Sequence, residues 1–145
     1  MINNNRIKDI REDNDLNQIE MAKILNVKRS TYSLWELGIN SIPLKSLIDY
    51  SNYFHLNIDY ILRLTNTKII KDKEIKLDLK VVGNNIKKIR NEHNLSQENI
   101  AKLLRISQPA VNKYEKGKSA IPIDNLYILS KEFNISIDQL IEEKQ

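Results

Sequence analysis

The sequence predicts an all-α protein made of two tandem five-helix units joined by a charged linker. Three observations carry this reading. Sliding the 145-residue chain on itself by 79 positions aligns 7–62 with 86–141 without a gap, and 18 of the 56 pairs are identical. Within each copy the apolar residues recur every three or four positions, the spacing of an amphipathic helix. Only three Gly and three Pro are present, too few for a turn-dense β fold or a glycine-rich phosphate loop. The expected division is a first copy over residues 1–65, a linker over 66–83 and a second copy over 84–145.

The elements follow in order. Ile7 and Ile10 open a first helix that ends near Asn14. Asn17 with Glu20 three residues on has the spacing of a capping box, which starts a second helix running to about Leu25. In the second copy, Ser96 with Asn99 keeps only the cap. After Asn26-Val27 a third helix reaches about Leu37 and stops at Gly38, a usual helix-ending glycine. Pro43 opens a fourth helix carrying Leu44, Leu47, Ile48 and Phe54. A short fifth helix covers 58–62, and the second copy repeats the series to about Ile141. The expected core is Ala22, Leu25, Val27, Tyr32, Leu47 and Phe54 with their partners 79 residues on. His55 and His93 fall at helix ends. The linker stretch 74–81 alternates polar and apolar residues, so three readings stay open there: a tether, a strand that self-pairs across a dimer, or a leading extension of the next helix.

Composition removes several classes of function. The chain is 41% hydrophobic and 29% charged, with mean hydropathy −0.48, as in a soluble globular protein. It has no Cys, so disulfides, thiolate metal sites and cysteine catalysis are excluded. Its two His lie far apart, no phosphate loop or Ser-His-Asp order is present, and neither enzyme activity nor a cofactor or metal is expected. No apolar run approaches the ~20 residues of a membrane span. The opening Met-Ile-Asn-Asn-Asn-Arg has no apolar core of a signal peptide, so the expectation is a cytoplasmic protein. A net charge of +4 and pI ≈ 9.2 suit a nucleic-acid partner without requiring one. Abundant Ile, Asn and Lys, all with A/T-rich codons, hint at a low-GC bacterial or phage genome.

Two short helices, a tight turn and a third helix with polar residues make a helix-turn-helix, whose second helix enters the major groove. The segments are 18–25 with 29–37, and 97–104 with 108–116. The second copy carries Leu95-Ser96-Gln97-Glu98-Asn99-Ile100-Ala101-Lys102-Leu103-Leu104, then Ser107-Gln108-Pro109-Ala110-Val111, Tyr114-Glu115-Lys116-Gly117 and Ile121-Pro122. The first carries Leu16-Asn17-Gln18, Ala22-Lys23-Ile24-Leu25, Ser30-Thr31-Tyr32-Ser33 and Trp35-Glu36-Leu37-Gly38. Over about four-fifths of the chain this series resembles the lambda-repressor/Cro-like (XRE-type) helix-turn-helix family. The resemblance implies that Gln18 and Gln97 touch phosphate or an outer base. It also implies structural ion pairs Arg11–Glu36 and Arg90–Glu115, which tie the first helix of each unit to the end of the recognition helix.

Chemistry at the expected reading positions fits base edges. Lys28, Arg29 and Ser30 begin the first recognition helix, and Gln108 and Pro109 begin the second. Arg suits guanine O6/N7 and Gln suits adenine N6/N7. Pro109 is tolerated because a first-turn residue needs no N–H. One turn later come Ser33 and Leu34, matched by Asn112 and Lys113.

The copies differ in charge. The first holds eight cations and eight anions, the linker five and three, and the second ten and eight. Phosphate contacts supply much of DNA affinity, so the second copy is the stronger reader. It places Lys116 and Lys118 just after the recognition helix, where the first has Leu37 and Ile39. The expected function is a sequence-specific, double-stranded-DNA-binding transcriptional regulator, a repressor in the first instance. The alternative is a protein-interaction module, antirepressor or antitoxin-like, whose first copy mediates dimer or partner contact. A homodimer stays open, and so does one chain straddling half-sites one turn, ~34 Å, apart, since a fully extended 64–82 spans up to ~60 Å.

Overall fold

The computed structural model describes residues 5–143. Met1–Asn4, on which most of the leader expectation rests, and Lys144–Gln145 lie outside the described residues. The chain divides into two compact units, one running up to Ile75 and the other starting at Lys76. The first holds α1 (Ile7–Asp13), α2 (Gln18–Ile24), α3 (Arg29–Glu36), α4 (Leu44–Phe54) and α5 (Ile58–Ile61). The second holds α6 (Leu79–Glu92), α7 (Gln97–Leu104), α8 (Gln108–Glu115), α9 (Ile123–Phe133) and α10 (Ile137–Ile141). The fold is all-α with two tandem helix-turn-helix units, and the helix boundaries fall close to those expected.

Local chemistry explains the boundaries. Asn17 and Glu20 form the reciprocal capping box of α2. Ser96 and Asn99 form one at α7 as well, which corrects the expectation of a bare cap there. The Asn99 amide oxygen accepts from Ser96 N at 2.8 Å, a task usually assigned to Glu or Gln. Both recognition helices end on a glycine in the left-handed region, Gly38 at φ 73° and Gly117 at φ 71°. The following amides turn back onto the last turn: Ile39 N donates to Leu34 O at 3.0 Å and Lys118 N to Lys113 O at 2.9 Å.

Each unit closes around its own core. Ile7, Met21, Tyr32, Leu47, Ile58 and Ile61 are fully buried in the first; Ile100, Leu126, Ile137 and Leu140 are in the second. The expected core needs trimming at four places. Val27, Ile106, Phe54 and Phe133 are only half-buried. Both Phe residues are the last of their helices and pack at the edge, Phe54 against Tyr50 with ring centres 4.8 Å apart and Phe133 against His93 at 4.6 Å. Trp35 is buried, whereas Tyr114 is half-buried. His55 and His93 are exposed C-caps of α4 and α6.

One repeat position closes each unit through different chemistry. The Arg6 guanidinium donates to the carbonyls of Tyr60 and Thr65 and lies 4.1 Å over the Tyr60 ring. Its counterpart Asn85 donates to the carbonyls of Leu140 and Glu142, both at 2.9 Å.

The stretch read as a linker is shared between the units. Two asparagines of the first unit hold its first part. Asn57 accepts from Ile69 N at 2.9 Å, and Leu56 pairs with Ile70 in a single antiparallel bridge. Asn52 binds both backbone groups of Ile75 at 2.8 Å, and Ile75 is buried. An amide side chain supplies one donor and one acceptor and so stands in for a neighbouring strand. Residues 79–83 belong to α6, capped by Asp78, which accepts from Lys80 N at 2.9 Å. The alternating pattern over 74–81 therefore marks no strand. It reflects one buried anchor, Ile75, followed by the first turn of an amphipathic helix. Lys76–Asp78 is the stretch left between the docked strap and α6, and it spans only ~10 Å when extended, against the ~60 Å upper limit for a fully extended 64–82.

Candidate nucleic-acid interface

In each unit a buried ion pair fixes the helix that follows the turn. Arg11 forks onto Glu36, Nε to Oε2 at 2.7 Å and Nη2 to Oε1 at 2.9 Å, while its Nη1 donates to Leu16 O at 2.8 Å. Arg90 repeats the arrangement on Glu115 at 2.7 and 3.0 Å and on Leu95 O at 2.9 Å. The pair thus ties the first helix of a unit to the last residue of α3 or α8 and also to the loop before α2 or α7. Both glutamate side chains are only 3% exposed, so the fork must supply what water no longer does.

Electrostatics follow from this geometry. Burial by itself would raise the Glu36 carboxyl, but the hydrogen bonds from the Arg11 guanidinium, with one from Gln18, outweigh it and hold the group below its ordinary value. The bonds to Glu36 raise Arg11 further above its ordinary range, and those to Glu115 do the same for Arg90. Burial raises the phenols of Tyr32 and Tyr50. Tyr50 stays neutral and donates to Ile7 O at 2.6 Å, which pins α4 to α1.

The glutamates also position the first residue of α2 and α7. Gln18 Nε2 donates to Glu36 Oε1 at 3.0 Å, and Gln97 Nε2 to Glu115 Oε1 at 3.1 Å. In the second unit the network continues to the surface. Gln97 also donates to Asn112 Oδ1 at 3.3 Å, and Gln108 Nε2 donates to Gln97 Oε1 at 2.6 Å. Three of the expected contact residues, Gln97, Gln108 and Asn112, therefore share one hydrogen-bonded chain anchored on Glu115. Lys113, Lys116, Lys118 and Pro109 stand exposed around it.

The first unit differs. Lys28, Arg29 and Ser30 are exposed, and Ser33 and Leu34 are half-buried. Leu37 is 67% and Ile39 56% exposed, and Ile19 on α2 is 55% exposed. Lys28 is the N-cap of α3 and makes no side-chain cap, whereas Ser107 caps α8 by accepting from Ala110 N at 3.2 Å. Two cations thus crowd the positive end of an uncapped helix, an arrangement unfavourable for stability.

Three residues beside this interface escaped the sequence reading. Lys80, Asn84 and Lys87 lie on α6 and line a cleft of ≈ 290 Å³ with Gln97, Asn112 and Lys116. Gly83 makes the close crossing there: a Cβ would lie 2.4 Å from the carbonyl oxygens of Tyr114 and Glu115. The available signal was Gly83 itself, one of three glycines, set in an otherwise helix-forming stretch.

Tandem five-helix units, each built around a helix-turn-helix, define a helix-turn-helix protein. The chain belongs to the XRE-type helix-turn-helix family, whose model matches twice, over residues 7–61 and 86–140. It is 32% identical over 63 residues to the antitoxin PezA of Streptococcus pneumoniae serotype 4, a match covering 43% of this chain and 40% of that protein. It is 33% identical over 60 residues to the HTH-type transcriptional activator BcrR of Enterococcus faecalis, covering 41% and 29%. The chain thus spans well under half the length of either relative. Among solved structures it is similar to a transcriptional regulator from Listeria innocua, at 31% identity and TM-score 0.42 over 44% of this chain and 60% of that one. Among the described residues no helix is long and apolar enough to cross a membrane.

Proposed function

We propose that the chain is a cytoplasmic transcriptional regulator that binds specific double-stranded DNA through α8 and α3 and represses by occupying its operator. The observation that carries this is the network Arg90–Glu115–Gln97–Gln108/Asn112. It runs from a buried ion pair to amide groups on the outer face of α8, flanked by exposed lysines. Such preorganisation spares a reader the entropy of ordering those side chains on binding. Gln108 suits adenine, and Lys113 suits guanine or phosphate. The reading requires no catalytic group or cofactor, since occupancy alone excludes polymerase.

The uncapped Lys28-Arg29 terminus favours DNA contact by the first unit too, because an anion there would reverse an unfavourable charge arrangement. A second reading rests on the exposed Ile19, Leu37 and Ile39, which favour protein contact by that unit. The antitoxin among the relatives is in keeping with it. Selection from a random duplex pool with the intact chain separates the two. Two motifs at fixed spacing are expected if both units read DNA, and one short motif if the first unit serves a partner or a dimer. Failure to enrich any sequence at modest salt would overturn the proposal.

A further inference from the structure

The cleft between α6 and the end of α8 belongs to the second unit alone. Lys80, Asn84 and Lys87 project from one face of α6, at i, i+4 and i+7, toward Gln97, Asn112 and Lys116. Lys80, Asn84, Lys87 and Lys116 are exposed, and among the described residues none of the three lysines is ion-paired. The one acid in the wall, Glu115, is buried and engaged by the Arg90 fork, so its charge is offset within the protein. Backbone geometry holds the wall in place. Gly83 lets α6 press onto the Tyr114 and Glu115 carbonyls, and a Cβ on Gly117 would lie 2.9 Å from Lys80 Cα.

The first copy lacks this arrangement in its sequence and its pairing. Leu37 stands for Lys116, Met1 for Lys80 and Asn5 for Asn84. Lys8, the counterpart of Lys87, lies 3.9 Å from Glu12, where the second copy has Asn91. One unit therefore presents three unpaired cations around an amide-lined cleft beside its recognition helix, and the other does not.

We propose that this cleft binds a backbone phosphodiester of duplex DNA, with Lys80 and Lys87 as added phosphate contacts and Asn84 as a hydrogen-bond donor. The inference rests on the DNA-binding reading above. It makes the second unit the one that fixes the protein's register on the duplex, since phosphate contacts position while base contacts specify. It also gives α6 a reason to extend beyond the repeat.

The test compares intact K80Q/K87Q with intact K102Q/K131Q, which loses the same charge elsewhere, on the duplex selected by the wild-type chain. Affinity is measured across a salt series. For K80Q/K87Q the slope of log affinity against log salt should fall by roughly 1.8, at about 0.9 per lost phosphate contact, with the selected sequence unchanged. The slope of K102Q/K131Q should stay near that of the wild type. An unchanged slope for K80Q/K87Q, or an equal fall in both variants, overturns the phosphate site. A lowered melting temperature with an unchanged slope overturns it too, by assigning the lysines to the carbonyl end of α8. Q108A/K113A keeps this outcome distinct from failure of the parent reading. Lost sequence selectivity in that variant upholds the recognition helix whatever the cleft does, and no enrichment by the wild-type chain ends both proposals.

Discussion

Glu36 and Glu115 do two tasks at once: each closes a buried ion pair and each orients the glutamine that opens the helix before the turn. Removing one partner of such a pair leaves the other charge buried, which costs more than the pair contributes. Arg11→Met should therefore destabilise the first unit by about 3 kcal/mol in denaturant unfolding. The carboxyl of Glu36 is held below its ordinary value of 4.5. Its contribution is thus present above that pH and is lost as pH falls through the lowered value. Acid unfolding followed by fluorescence of Trp35 should show this limb, and Glu36→Gln should flatten it. Lys28 supplies the opposite case, a residue at odds with local stability. Lys28→Ser should stabilise the first unit by about 1 kcal/mol, through the cap that Ser107 already provides in the second. The same change should weaken DNA binding if the first unit reads DNA. Stabilisation with unaltered affinity would leave that unit to protein contact.

At the scale of elements, glycine and asparagine decide how helices and straps approach. A glycine inside a helix costs about 1 kcal/mol against alanine, and α6 tolerates it at Gly83 because nothing larger fits against the end of α8. Gly83→Ala should destabilise the second unit by about 2 kcal/mol or more, read as a lower unfolding midpoint, since backbone carbonyls cannot move aside as a side-chain tip can. On the first unit, Asn52 and Asn57 hold residues 67–75 by side-chain-to-backbone bonds. In an Asn52→Ala, Asn57→Ala double variant, the amides of Ile69 and Ile75 should exchange much faster while those of α2 and α3 keep their protection. Equal protection in the variant would mean that burial of Ile75, rather than the asparagines, holds the strap.

For the whole molecule, what matters is how two similar units share one chain. The docked strap and the extended α6 shorten the intervening stretch to Lys76–Asp78. Inserting ten flexible residues after Lys76 interrupts neither a helix nor a strap bond, so the unfolding of each unit should be unchanged. If both units bind, the insertion should weaken affinity for a two-site duplex only a few-fold, because effective concentration falls slowly with linker length. It should also broaden the spacing recovered in selection. Constant affinity and spacing would identify a single reading unit.

The all-α class, the duplicated unit, its ten helices and the helix-turn-helix at the centre of each copy were legible in the sequence. They rest on local chemistry: periodic apolar residues, N-caps, and glycines at left-handed helix ends. Charge asymmetry between the copies was equally legible. Tertiary structure alone decided the rest. The family resemblance already implied the Arg90–Glu115 pair, but its continuation through Gln97 to Asn112 and Gln108 joins residues 11 to 18 positions apart, and no periodicity announces such links. The box at Ser96 and Asn99 needed the actual geometry, because Asn is not the residue that pattern calls for. The strap and the cleft lay in a stretch whose composition suits a loose linker. Two asparagine amides and one absent Cβ place it against folded surfaces. Such contacts depend on which backbone groups the fold brings close, and only the packed structure specifies that.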